Sequence, residues 1–179
     1  MAKLVIITHP YLSNSIVNKA WLSELEKYPN DFILHDIYEQ YPDLNFDLEK
    51  EQQLLEKYDE IIFQFPFYWF SAPFAFKKYL DEVFAYGWAF GPEGDKLKGK
   101  KLSLAVSMGG KQEAYEAGIS VHDLLNDITL SFTYCGCEIG STHFFYGAEH
   151  NPEMTTITQN AKSYVNTFLS QKNTYKIRV

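Results

Sequence analysis

The chain has 179 residues, 46% hydrophobic and 22% charged, with a formal net charge of −7 and no block of basic residues. That length suits one domain with a sizeable core, and the acidic balance argues against nucleic acid and anionic membrane surfaces as partners. No apolar run approaches the ~18 residues of a membrane span, and the N-terminus enters a strand rather than a signal peptide, so a cytoplasmic protein that is not membrane-embedded is expected.

Lys3–Thr8 reads as a strand with a nearly continuous apolar run, the mark of a strand covered on both faces. Ser15–Tyr28 carries Ile16, Val17, Ala20, Trp21 and Leu25 at helical spacing and stops before Pro29. Phe32–Ile37 is a second strand, Leu48–Tyr58 a charged helix, and Glu60–Gln64 a third strand. An aromatic tail, FPFYWF at Phe65–Phe70, then leads through Ser71-Ala72-Pro73 to a helix over Ala75–Ala85. Leu102–Ser107 is the fourth strand, and Val121–Leu130 begins a helix that extends toward Phe132. Glu138–Phe145 is the fifth strand and Met154–Leu169 the last helix. Five strands, each followed by a helix, predict a single α/β domain over 1–179, a doubly wound parallel sheet. Cys135 and Cys137 have no cluster of further ligands near them in sequence. They read as small residues at a strand start, with neither disulfide nor metal expected.

Ligands of such sheets bind outside the carboxyl ends of the strands, where strand order reverses. Three tails therefore carry the candidate chemistry. The first, THPYLSNSIVN, brings Ser13, Asn14 and Ser15 to the start of the first helix. Orphan N–H groups and hydroxyls there suit a phosphate, neutralised by His9; plain capping by Ser13 or Asn14 is the other reading. Neither G-x-G-x-x-G nor a Walker lysine is present, so a mononucleotide fits better than a dinucleotide. The second tail, FPFYWF, suits the walls of a flat ring system, its backbone N–H groups at Tyr68, Trp69 and Phe70 facing ring heteroatoms; a core or subunit interface would use the same residues. The third, Ser107-Met108-Gly109-Gly110, lets backbone approach a ligand or simply permits a turn, and Tyr115 follows on a polar loop.

Several motifs are similar to those of the flavodoxin-like NAD(P)H:quinone oxidoreductase family, especially its short bacterial members. Those include modulator-of-drug-activity-like enzymes and ancillary subunits of glutathione-gated potassium efflux systems. The matching stretches are HP-x4-S-x2-N at His9–Asn18, FPFYWFSAP-x2-FKKYLDEVFAYGWAFG at Phe65–Gly91, LKGKK at Leu97–Lys101, SMGG-x4-Y-x2-G at Ser107–Gly118 and F-x2-CGC at Phe132–Cys137.

The resemblance implies a flavodoxin-like fold, a homodimer, and an enzyme that uses FMN, FAD being less favoured because the family's adenine-binding C-terminal extension is missing. It implies hydride transfer from NAD(P)H to the flavin and on to a quinone at one shared site, with ping-pong kinetics. A potassium efflux transporter as partner and a flavodoxin-like electron carrier are the alternatives. Carried over by position, His9, Ser15, Ile16 and Asn18 lie around the phosphate. Pro66, Phe67, Tyr68, Trp69 and Phe70 lie along the ring, and Ser107, Met108, Gly109 and Gly110 along its other edge. Tyr115 matches a family tyrosine near the flavin carbonyl, His122 is a candidate proton donor, and Trp69 and Tyr115 face the substrate. Phe90 stands where larger members bring an aromatic residue over the partner's active site, but lacks a hydroxyl. Tyr79, Phe84, Trp88 and Phe90 are expected at the subunit boundary.

Overall fold

The computed structural model describes residues 1–116, 118 and 120–169. Five strands form one parallel sheet: β1 (Lys3–Ile7), β2 (Phe32–Asp36), β3 (Glu60–Pro66), β4 (Lys101–Ser107) and β5 (Glu138–Phe145), in the order β2-β1-β3-β4-β5. The chain winds from β1 to β2 on one side and returns to β3 on the other, so the reversal point lies above the carboxyl ends of β1 and β3. This is the doubly wound architecture anticipated from the alternating elements.

The three central strands, β1, β3 and β4, read as largely apolar runs because both faces are covered, whereas the edge strands β2 and β5 are only partly buried. Leu4 and Ile6, with Ile61, Phe63 and Phe65, pack into one core; Val5 and Ile7, with Ile62, pack into the other. The first core is closed by α3 (Leu48–Glu56), α4 (Phe74–Val83) and α7 (Asn126–Tyr134), with Phe63 stacked on Phe132 at 5.5 Å. The second is closed by α1 (Ile16–Leu25) and α8 (Met154–Leu169), where Trp21 Nε1 donates to Asn160 Oδ1 at 2.8 Å. Truncating a fully buried ring such as Phe63 to alanine costs about 3–5 kcal/mol in cores of this kind. None of the described helices is long and apolar enough to cross a membrane.

Several boundaries differ from the expected ones for local reasons. β2 ends at Asp36, whose side chain accepts from Tyr38 N–H and caps α2 (Ile37–Gln40), a helix of one turn. β3 continues through Phe65 and Pro66, which pair with β4. The helix expected from Val121 is two pieces, α6 (Val121–Leu124) and α7, because Leu125 leaves helical geometry at φ −98°, ψ 3°. A further short helix, α5 (Gln112–Glu116), follows β4. Cys135 caps the end of α7 and Cys137 precedes β5, across a turn whose Gly136 has φ +77°. Both thiols are free and buried, and burial pushes Cys137 up to about 12.

The subunit-boundary expectation for Tyr79 and Phe84 fails, because this chain's own core covers both. Tyr79 has a specific task there. Its hydroxyl donates to Glu51, a carboxylate with no exposed surface that also binds His35 Nε2 and the Tyr41 hydroxyl. Burial alone would raise the Glu51 pKa; hydrogen bonding from His35, the His35 charge and the two phenols outweigh it and lower it.

Candidate functional site

The carboxyl ends of β1 and β3 open into the first tail. Thr8 N–H donates to the Gln64 carbonyl at 2.9 Å, which keeps the tail in register with β3. His9 is 7% exposed, and its Nδ1 accepts from Tyr11 N–H at 3.1 Å. That bond assigns the proton of the neutral ring to Nε2. Burial lowers the His9 pKa to about 4. At neutral pH the ring of the ligand-free chain is therefore an uncharged donor, and a phosphate beside it would act against that shift.

A single 3-10 turn over Leu12–Asn14 delivers the chain to α1. Its cap is Ser15, not Ser13 or Asn14, and Ser15 Oγ accepts from Asn18 N–H at 3.2 Å. Ile16 and Val17 are the first two helical residues, so their N–H groups have no partner within the helix and mark the positive end of its dipole. Ile16 contributes by backbone, since its side chain is exposed.

Asn18 lies beneath this loop with no exposed surface. Its Nδ2 donates to Ser15 Oγ at 3.0 Å and to Ser107 Oγ at 2.8 Å, and its Oδ1 accepts from Gln64 Nε2 at 3.1 Å. The side chain thus ties the tails of β1, β3 and β4 together from below rather than facing a ligand. Met108 is sealed in the same way, with its N–H donating to Phe145 O at 2.7 Å and its carbonyl accepting from Ala148 N–H at 2.9 Å. Its side chain supports the ligand edge and does not line it.

The aromatic tail divides. Phe67 is buried and its N–H donates to Ser107 O at 2.8 Å. Tyr68 and Ser71 exchange backbone hydrogen bonds at 2.9 and 3.1 Å, closing a turn with Trp69 and Phe70 at its tip. Tyr68 N–H is consumed by that turn, which leaves the N–H groups of Trp69 and Phe70 for a ligand. Trp69 is 93% and Phe70 58% exposed. Both have positive φ, 50° and 62°, in the region that bulky residues avoid at a cost of ~1–3 kcal/mol each.

The β4 tail runs beside a fourth tail, that of β5, in addition to the three expected from the sequence. After β5, Gly147 N–H donates to Gly110 O at 2.7 Å and Glu149 N–H to Gly109 O at 3.3 Å. Glu149 is thereby laid against Gly109, where a Cβ would come within 2.6 Å of its carboxyl carbon. Only the adjacency of β5 to β4 could have pointed to Ala148 and Glu149. Tyr115, on α5, holds its hydroxyl over Gly110 and its ring against Phe67 and Tyr146. His122 is exposed on α6 and packs on Phe144, which contacts Tyr146, so two rings separate it from Tyr115.

The tails enclose a cavity of about 210 Å³ lined by His9, Tyr11, Asn14, Ser15, Pro66, Phe67, Tyr68, Ser107, Gly109, Ala148 and Glu149. That is below the roughly 300–1,000 Å³ of sites that enclose a whole ligand. The cavity suits one polar end of a molecule whose flat remainder lies along the exposed rim from Tyr68 to Phe70. A larger cavity of about 500 Å³ lies between α4 and α7, lined by Leu80, Phe84, Phe90, Leu130 and Tyr134. It is at the amino-terminal end of the strands. Phe90, packed on Tyr86 and Tyr134, is therefore remote from the pocket of its own chain.

A sequence model of the family described as "Flavodoxin-like fold" matches residues 1–168. General stress protein 14 of Bacillus subtilis (strain 168) is 46% identical over 154 residues, covering 84% of this chain and 87% of its own. An uncharacterised NAD(P)H oxidoreductase of the same organism is 42% identical over 154 residues, 84% of this chain and 88% of its own. An ancillary protein of a glutathione-regulated potassium-efflux system from Enterobacter sp. (strain 638) is 35% identical over 137 residues, 75% of this chain and 77% of its own. Among solved structures, general stress protein 14 of Treponema denticola in complex with FMN superposes with a TM-score of 0.89 at 34% identity, covering 95% of this chain and 99% of its own. An NADPH-quinone reductase from P. pentosaceus gives 0.84 at 25% identity, covering 94% and 98%.

Proposed function

The chain belongs to the flavodoxin-like fold family, and from that premise we propose that it is an FMN-dependent NAD(P)H oxidoreductase that reduces quinones by two-electron hydride transfer. The observation that carries this reading is the continuity of a donor-lined cavity at the start of α1 with an exposed aromatic rim. The relatives named as NAD(P)H oxidoreductase and the FMN complex of a structural neighbour support it.

Ser15, with the N–H groups of Ile16 and Val17, would hold the phosphate, and the N–H groups of Trp69 and Phe70 the ring edge. When bound, FMN would supply the ring that takes up a hydride and passes it on. The side chains of Trp69 and Phe70 cover apolar surface and exclude water, which positions a nicotinamide or a quinone at that rim. Tyr115 presents its phenol beside Gly110 as a donor to a carbonyl that gains negative charge. His122 is assigned proton exchange with solvent on the same side. The active unit in this proposal is a homodimer, with Phe90 supplied across the boundary to the other site.

Purified protein should yield FMN on chromatography of the extracted cofactor, and its visible band should bleach with NAD(P)H under anaerobic conditions and recover on adding a benzoquinone. A protein that stays colourless after reconstitution with FMN rejects the assignment. Light scattering at micromolar concentration should give twice the chain mass, and a fully active monomer rejects the shared site. The resemblance to the potassium-efflux ancillary protein supports a second role, docking on a transporter of that class. Co-purification with such a transporter from detergent extracts tests it.

A further inference from the structure

We propose that the buried Asn18 is a positioning residue that fixes the polarity of the cavity floor, turning the hydroxyl protons of Ser15 and Ser107 outward so that the floor only donates hydrogen bonds. The proposal rests on the flavin-phosphate reading above and deepens it.

The argument is a count of donors and acceptors. A primary amide has two N–H donors and one carbonyl. Asn18 spends both donors on hydroxyl oxygens, Ser15 at 3.0 Å and Ser107 at 2.8 Å, and its carbonyl on Gln64 Nε2 at 3.1 Å. Ser15 Oγ also accepts the Asn18 backbone N–H at 3.2 Å. Each hydroxyl has a single proton. With its oxygen engaged from below, that proton is free to point up into the cavity, which both serines line. Turning both amides over would exchange the roles. It would leave both N–H donors of Gln64, and one of Asn18, buried without an acceptor, whereas as they stand one Gln64 N–H is bonded to Asn18 Oδ1 and the Gln64 amide leaves one N–H and its Oε1 without a partner. Leaving more buried donors unpaired is the costlier arrangement.

The arrangement answers a problem set by the rest of the cavity. Its lining residues include no lysine or arginine, and Glu149 adds negative charge. An anion held there must be recognised by oriented dipoles: the first N–H groups of α1, the Nε2–H of His9 and the two hydroxyls. Hydroxyls that could rotate to accept would be neutral to the ligand. Hydroxyls pinned as donors favour phosphate and carbonyl oxygens.

The test measures the ratio of FMN to riboflavin affinity of the apoprotein by fluorescence quenching, with and without Asn18→Asp and Ser15→Ala. An aspartate accepts from both hydroxyls and turns their protons inward. Ser15→Ala alone should lower the ratio at least tenfold, as expected for a charge-assisted hydrogen bond. In the Asn18→Asp background the same change should lower it less than threefold. Simple charge repulsion would leave the two effects additive, and additivity overturns the proposal. If Asn18→Asp does not fold, nuclear Overhauser contacts in the wild-type apoprotein decide. Contacts from the Asn18 Nδ2 protons to the β-protons of Ser15 and Ser107 support the assignment; contacts to Gln64 instead overturn it. A wild-type apoprotein that binds riboflavin as tightly as FMN rejects the phosphate reading and this proposal with it. A clear FMN preference with an additive cycle rejects the role of Asn18 alone.

Discussion

Trp69 and Phe70 are consecutive non-glycine residues that both have positive φ, and they form the tip of a turn closed by Tyr68 and Ser71. Strain of this kind collects at functional sites, where surrounding structure holds it in place. Phe70→Gly relieves the strain and removes a largely exposed ring, so unfolding free energy should hold level or rise by up to ~1 kcal/mol. Phe67→Ala, three residues earlier and buried, should cost about 3–5 kcal/mol. Urea titrations of the two variants check the contrast. A Phe70→Gly protein as destabilised as Phe67→Ala would show that the turn is packed rather than strained.

The His9 pKa of about 4 lies below the ordinary 6.5, so between those values the unfolded chain binds a proton that the folded chain refuses. This part of the stability is fully present above pH 6.5 and falls as pH drops toward 4. Its size, discounted for partial solvent screening, is about 1–3 kcal/mol. His143 is also lowered by burial and contributes in the same sense. Comparing wild type with His9→Gln isolates the His9 share: the variant should lose less stability between pH 7 and 4.5. Parallel pH profiles would count against a neutral His9.

Tyr115→Phe should retain FMN and slow its reduction by NAD(P)H. In the proposed function the hydroxyl over Gly110 is one donor of a preorganised set, and losing one such donor can cost ~10²–10³-fold in rate. A smaller loss, about tenfold, is expected, because backbone donors share the charge and the rim is open to water. Stopped-flow bleaching of the oxidised band reads the step, and an unchanged rate would reduce Tyr115 to a packing role.

Tyr79→Phe removes one of three side-chain partners of the buried Glu51 carboxylate. A hydrogen bond to a charged group contributes about 1.5–3 kcal/mol, and the ring volume is preserved. The lowered Glu51 pKa stabilises the fold above the ordinary carboxylate pKa, and that stability is lost as pH falls through the lower folded value. The variant should therefore be less stable at pH 7 by that amount and less acid-dependent than wild type. A loss under 0.5 kcal/mol at pH 7 contradicts a functioning network.

The sequence was most legible where the apolar pattern is sharply bounded, even in an edge strand and in a helix buried along one stripe. Glu138–Phe145 and Met154–Leu169 begin and end as anticipated, and the three tails at β1, β3 and β4 do meet at one cavity. It was least legible where one residue decides. Leu125 breaks a helix without glycine or proline, and Asp36 turns the end of a strand into a cap. The motif position of Asn18 implies a ligand contact. Only the packing of α1 on the sheet shows that the side chain points inward. Glu149 carried no signal, since its place depends on a backbone ladder between segments about forty residues apart in sequence. Tyr79 and Phe84 looked surplus to one domain because α3, the helix that helps to cover them, reads mainly as charged.

The pairing of α1 with α8 joins segments far apart in sequence, with Trp21 bonded to Asn160. During synthesis Val17, Trp21 and Leu25 of α1 emerge well before Tyr164, Val165 and Phe168 of α8. The first core can close on the ribosome while the second waits, with an apolar face open to other nascent chains. Until α8 is made that face stays uncovered, so a stall between α1 and α8 would leave an aggregation-prone fragment.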